Sequence, residues 1–152
     1  MKTPHEHRLS VRYAETDQMG VVYHANYLVY MEEGRTRMMA ARGLPYHELE
    51  REGWALVVRK AEVRYRAAAR YGDEILVRTW IERMRGASVL FGYEIRRSAD
   101  TTLLATGSTE LACVDLKRED RPPTMLPAHL RERFEAAAEG EASQADSGGS
   151  GG

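Results

Sequence analysis

From Trp54 onward the apolar residues of this chain recur at every second position, whereas before Gly43 they recur at spacings of three and four. That change of period asks for one helix packed on one sheet, because each apolar face needs the other for cover. In the helical stretch Tyr27, Met31, Gly34, Met38 and Ala41 mark a single buried face. Asn26 reads as its N-cap, and Gly43-Leu44-Pro45 supplies the stop. Gly34 costs such a helix about 1 kcal/mol relative to alanine. Close approach to a sheet is the expected compensation.

The strands follow from alternation. Leu9, Val11 and Tyr13 predict a first strand over Arg8 to Tyr13, closed by the loop Thr16-Asp17-Gln18-Met19-Gly20. After Trp54, Ala61, Val63, Tyr65, Ala67 and Ala69 alternate with Lys60, Glu62, Arg64, Arg66 and Arg70. Tyr71-Gly72-Asp73 is a turn. Ile75, Val77, Thr79 and Ile81 define a third strand, and Val89, Phe91, Tyr93 and Ile95 a fourth beyond Gly86. A turn at Ser98 to Asp100 leads to a fifth over Thr102 to Val114. Short connections predict that these sequence neighbours pair antiparallel. Pro122-Pro123 ends the sheet, and Pro127 opens a short helix with Leu130 and Phe134 on one side.

The predicted class is therefore α+β, with one long central helix wrapped by a curved antiparallel sheet of about five strands. A single domain is expected over 1–138, with its core over about 8–116 and the last helix over about 127–138. The stretch 139–152, EGEASQADSGGSGG, holds no core-forming residue and is expected to be disordered.

Several functions are disfavoured by what is absent. A net charge of -1 gives no electrostatic case for a nucleic-acid or membrane partner. No apolar run approaches the roughly 18 residues of a membrane span, and the start MKTPHEHR lacks a signal-peptide core. Cys113 is the single cysteine, so no internal disulfide forms; it reads as a small buried strand residue of a cytoplasmic protein. There is no Gly-x-Ser-x-Gly elbow, phosphate loop or dinucleotide fingerprint. His5 and His7 read as solvated, with neither metal nor cofactor expected.

The chemistry concentrates in Tyr13-Ala-Glu-Thr-Asp17-Gln-Met-Gly20-Val-Val-Tyr23-His24-Ala-Asn26-Tyr27. A carboxylate, a permissive glycine and an imidazole stand immediately before a helix start, where an oxyanion can be held. On residue type alone Asp17 is a turn aspartate making an Asx-turn ahead of Gly20. Its place beside a helix N-terminus adds a second reading, a carboxylate acting on an acyl group whose oxygen points at the helix.

This segment closely resembles the signature of the hotdog-fold acyl-CoA thioesterases of the 4-hydroxybenzoyl-CoA thioesterase type. The resemblance runs from about Arg8 to Leu116 and is densest between Tyr13 and Arg35. It implies that Asp17 is the catalytic carboxylate, as nucleophile or general base, and that the His24 amide donates to the thioester oxygen. The branch with Tyr-His-Ala-Asn-Tyr, matched here by Tyr23 to Tyr27, further implies that the His24 imidazole assists. Gly20, Val21, Tyr23, His24 and Tyr27 would then meet the substrate. A related branch uses a helix carboxylate, but the loop aspartate leaves Glu33 as a solvated or ion-paired residue.

Coenzyme A, which enters only as part of the substrate, needs cationic partners for its phosphates. The basic residues Arg59, Lys60, Arg64, Arg83 and Arg85 are candidates, and the resemblance places such contacts at Arg85 to Ser88, although such charges are also the ordinary wet face of a sheet. It further implies a homodimer or homotetramer. Two rivals share the fold: a hydratase or dehydratase, whose motif is not found, and a non-catalytic acyl-CoA-binding or envelope-associated protein.

Overall fold

The structure, a computed structural model, describes residues 3–140. The expected tail therefore lies outside the described residues from 141 onward. Glu139 caps the last helix, and its carbonyl accepts a hydrogen bond from Thr3 Oγ1.

Five strands form one curved antiparallel sheet: β1 (His5–Ser10), β2 (Trp54–Tyr65), β3 (Glu74–Met84), β4 (Ser88–Arg97) and β5 (Leu103–Asp115). Their order across the sheet is β1-β3-β4-β5-β2. The three later strands fall where the alternation predicts them, and Ile75, Val77, Thr79, Ile81, Val89, Phe91, Tyr93 and Ile95 are all buried. The expected pairing of sequence neighbours fails once. β2 pairs with β5 rather than with β3, so the chain crosses over through 66–73. That leaves β2 as a long edge strand with Val57, Val58 and Tyr65 about half exposed.

The 16-residue helix α1 (Asn26–Ala41) packs on β3 and β1. Gly34 permits the approach, since a Cβ there would stand 2.7 Å from Thr79 Oγ1. The buried face is Tyr27, Tyr30, Met31, Gly34, Arg35, Met38 and Met39; Ala41 is exposed, contrary to expectation. Arg35 is a buried cation held by hydroxyls. Its Nε donates to the Tyr46 phenol at 2.7 Å, and its Nη1 to Tyr93 at 3.2 Å and Thr109 at 3.4 Å.

Two helices complete the chain. α2 (Tyr46–Arg51) follows Pro45 directly and was not foreseen, its single turn and a half being too short to show a period. α3 (Ala128–Ala138) buries Leu130 and Phe134 as expected. Cys113 is fully buried on β5. Among the described residues no helix is long and apolar enough to cross a membrane.

Two local expectations are corrected. The first strand is His5–Ser10, not Arg8 to Tyr13, because Glu15 Oε1 takes the Arg12 amide at 2.8 Å and turns Tyr13–Glu15 into a 3-10 helix. Tyr13 is consequently exposed. Nor does Asn26 cap α1. Its Nδ2 donates instead to the Glu15 carbonyl at 2.9 Å, and Asn26 is the first helical residue.

Candidate active site

The loop between β1 and α1 is organised around its aspartate. Asp17 N donates to Val21 O at 2.8 Å, and Gly20 N to Asp17 O at 3.0 Å. Gly20 sits at φ +78°, the left-handed conformation that suits glycine. The Asp17 Oδ1 atom accepts the amides of Met19 at 2.9 Å and Val21 at 3.3 Å. The Asx-turn of the plain reading is thus present, and it fixes the carboxylate through one oxygen. Oδ2 has no partner among the described residues.

Glu15 ties this loop to the helix start. Its carbonyl accepts Tyr23 N and Asn26 Nδ2, both at 2.9 Å, and its carboxylate accepts the Tyr30 phenol at 3.1 Å. Burial pushes the Tyr30 phenol above the usual tyrosine range, and the Glu15 charge beside it pushes further. Held this way, His24 and Ala25 form the turn that leads into α1, closed by Asn26 N donating to Tyr23 O at 2.9 Å. The amides of His24 and Ala25 donate to no acceptor among the described residues. Two open N–H groups at the positive end of a 16-residue helix make a ready receptor for negative charge.

Asp17, Val21, His24 and Tyr27 line one open cleft of about 370 Å³. These are four of the residues singled out from the sequence. The opposite wall comes from the end of β2, with Tyr65, Arg66 and Ala67. The Tyr65 phenol donates to the His24 carbonyl at 3.0 Å. Tyr27 is buried, its hydroxyl accepting the Ala69 amide at 3.2 Å, and burial raises its phenol pKa. Val22 N reaches Ala69 O at 2.9 Å, so the crossover after β2 is fastened to the aspartate loop. Gly20 borders a neighbouring cleft of about 640 Å³, shared with Asp17, Tyr13 and Tyr71. Tyr23 lies in neither lining; its ring meets the His24 imidazole at a tilt of 56°, with centroids 4.5 Å apart.

The residues proposed for the coenzyme phosphates stand elsewhere in the chain. Lys60 pairs across the sheet with Glu110, Glu110 with Leu90, and Leu90 with Arg83, one row on the face opposite Phe91. Lys60 lies five residues before Tyr65, about 16 Å along the strand. Arg59 pairs with Glu110 at 3.7 Å, Lys60 with Glu62 at 3.5 Å, and the buried Ser88 donates to Glu110 at 3.5 Å. Arg83 and Arg85 carry no ion pair among the described residues. The cation lining the Asp17 cleft is Arg66. Glu33 Oε2 is hydrogen-bonded to His7 Nε2 at 2.8 Å.

The model of the thioesterase-like superfamily matches residues 11–134 of this chain, a span that holds the whole cleft. The chain belongs to that family. The match also reaches into α3, ending at Phe134, whereas the sequence resemblance had left that helix outside. YneP of Bacillus subtilis is 42% identical over 107 residues, covering 70% of this chain and 77% of that protein. YbgC of Escherichia coli O6:H1, named an acyl-CoA thioester hydrolase, is 39% identical over 125 residues, covering 82% of this chain and 90% of its own. Among solved structures, the 1,4-dihydroxy-2-naphthoyl-CoA thioesterase Slr0204 of Synechocystis superposes with a TM-score of 0.79 at 26% identity. That alignment covers 90% of this chain and 96% of the other.

Proposed function

We propose that this superfamily member hydrolyses acyl-CoA thioesters to a carboxylic acid and free coenzyme A. The observation that carries the reading is the sharing of one cleft by the Asp17 carboxylate and the helix start at His24. In this reading α1 is the central helix of a hotdog, its N-terminus aimed at the reacting carbonyl. The thioester oxygen takes the His24 amide, where a lost donor typically costs about 3–4 kcal/mol of transition-state stabilisation.

Asp17 supplies the other half. Its Oδ2 either attacks the carbonyl carbon directly or draws a proton from the attacking water. On the general-base path the water oxygen bonds the carbonyl carbon, the C–S bond breaks, and the thiolate of coenzyme A leaves with a proton. On the nucleophilic path Asp17 forms that C–O bond, and water then cleaves the resulting acyl anhydride to the acid and the free carboxylate. The His24 imidazole, on the same cleft wall, is the side chain placed to deliver the thiolate's proton. Gly20, Val21, Tyr23 and Tyr27 form the walls against which the acyl thioester lies.

An exposed 12-residue edge strand invites pairing with another copy, so β2 is the proposed seam of a homodimer, or of a dimer within a homotetramer. Light scattering that returned a monomer mass at micromolar concentration would remove this part of the reading. The single free, buried cysteine accords with a cytoplasmic setting.

The test is thiol release from short, long and aromatic acyl-CoAs. A thioesterase liberates free thiol from at least one of them. A hydratase adds water to an enoyl thioester without liberating thiol, and a binding protein does neither. Absence of thiol release across the panel would reject the proposal.

A further inference from the structure

Tyr65 is half exposed at the end of β2, so burial in the core does not account for a tyrosine there. Its contacts converge on one residue. The hydroxyl donates to the His24 carbonyl at 3.0 Å, and the ring stands edge-on to the His24 imidazole, with centroids 6.3 Å apart at 86°. The same ring meets Tyr27 edge-on at 5.4 Å. The only other donor to that carbonyl is the Tyr27 amide at 3.3 Å, a long first-turn contact among the described residues.

We infer that Tyr65 is a positioning residue for the oxyanion-binding turn, acting through its hydroxyl on the His24–Ala25 peptide; the inference rests on the function proposed above. The His24 carbonyl and the Ala25 amide belong to one planar unit, so fixing the oxygen fixes where the open Ala25 N–H points, next to the His24 N–H that takes the thioester oxygen. A hydrogen bond to the carbonyl also polarises that unit, leaving the Ala25 N–H a better second donor at the turn. The edge contact limits the swing of the imidazole on the other side of the same residue. One strand-end phenol therefore sets both the backbone and the side chain of His24.

Tyr65→Phe removes the hydroxyl and keeps the ring. Its kcat should fall roughly fivefold to thirtyfold, the scale of one hydrogen bond read as a rate. KM should stay within about twofold and the melting temperature should hold, because ground-state contacts and packing are retained. The amide resonance of Ala25 should also move in a ¹H–¹⁵N spectrum of the free protein, since its own peptide carbonyl loses a donor. A wild-type kcat would overturn the inference, as would an unmoved Ala25 resonance. So would a fall in rate tracked by an equal loss of melting temperature. Asp17→Asn measured beside it separates two failures. A fully active Asp17→Asn moves the chemistry out of this cleft and takes the role of Tyr65 with it. An inactive Asp17→Asn with a full-rate Tyr65→Phe overturns the positioning role alone.

Discussion

Gly34 of α1 lies so close to Val77 of β3 that a Cβ on the glycine would stand 2.5 Å from Val77 Cγ1. Val77 is fully buried and β-branched, so its methyl has little freedom to retreat. Gly34→Ala would recover about 1 kcal/mol of helix propensity. Overpacking a filled interior costs about 1–3 kcal/mol, and here Thr79 Oγ1 crowds the same point. The cost wins. The variant should melt several degrees lower in circular dichroism, and an equal or higher melting temperature would show that helix and sheet can separate cheaply.

Asp17→Asn keeps an oxygen able to accept the Met19 and Val21 amides, so the loop geometry should survive. What it loses is the anionic second oxygen. Thiol release should drop at least about a hundredfold while the melting temperature and assembly stay put. Near-normal turnover in the folded variant would place the chemistry on another group.

How much of this was legible in the sequence depends on distance along the chain. Val89, Phe91, Tyr93 and Ile95 announce their strand because one face of β4 is buried throughout. Asp17 and His24 are seven residues apart, so a single segment displayed both. Tyr65 and Arg66 reach the cleft only because β2 leaves β3 and pairs with β5, a tertiary choice without a local signal. Asn26 misled for a similar reason. It is a good cap by residue type, but the Glu15 carbonyl, eleven residues back, competes for its side chain. His5 and Glu6 open β1 although nothing in their polarity says strand; the backbone of β3 recruits them as an edge.

Stability should vary with pH in a way the buried groups dictate. The phenols of Tyr27, Tyr46 and Tyr93 are all raised from 10.0, chiefly by burial. The folded chain holds those protons more tightly than the unfolded one. Their contribution is complete below 10.0 and is lost as pH climbs past it. His5 works in the opposite sense. Burial lowers its pKa from 6.5, with the Arg42 and His7 charges adding to the effect and Glu6 opposing it. Its Nδ1 is buried without a partner among the described residues. The unfolded chain therefore takes up the proton first, and stability falls as pH drops below 6.5. Glu94, lowered mainly by its Arg96 hydrogen bond, adds a further loss as pH falls below 4.5. Melting temperatures should form a plateau from about pH 7 to pH 9 and decline on both sides. His5→Gln should flatten the first part of the acid decline, and an unaltered curve would assign that decline to other groups.

His24 allows the backbone and the side chain to be separated, because the two are given different work. In His24→Ala the amide remains at the head of α1, with the helix dipole behind it and the Tyr65 bond to the carbonyl intact. Asp17 retains both its amide clamps and its open oxygen. Hydrolysis should therefore fall without vanishing. If the imidazole delivers the leaving-group proton, the loss should be roughly tenfold to a thousandfold in kcat. The pH–rate profile should also change shape, because a proton donor has been removed from the reaction. Substrates with more acidic thiols need that proton less, so the deficit should shrink as the leaving group improves. A rate and a pH profile unchanged from wild type would reduce His24 to its amide, leaving Asp17 the one side chain that touches the chemistry.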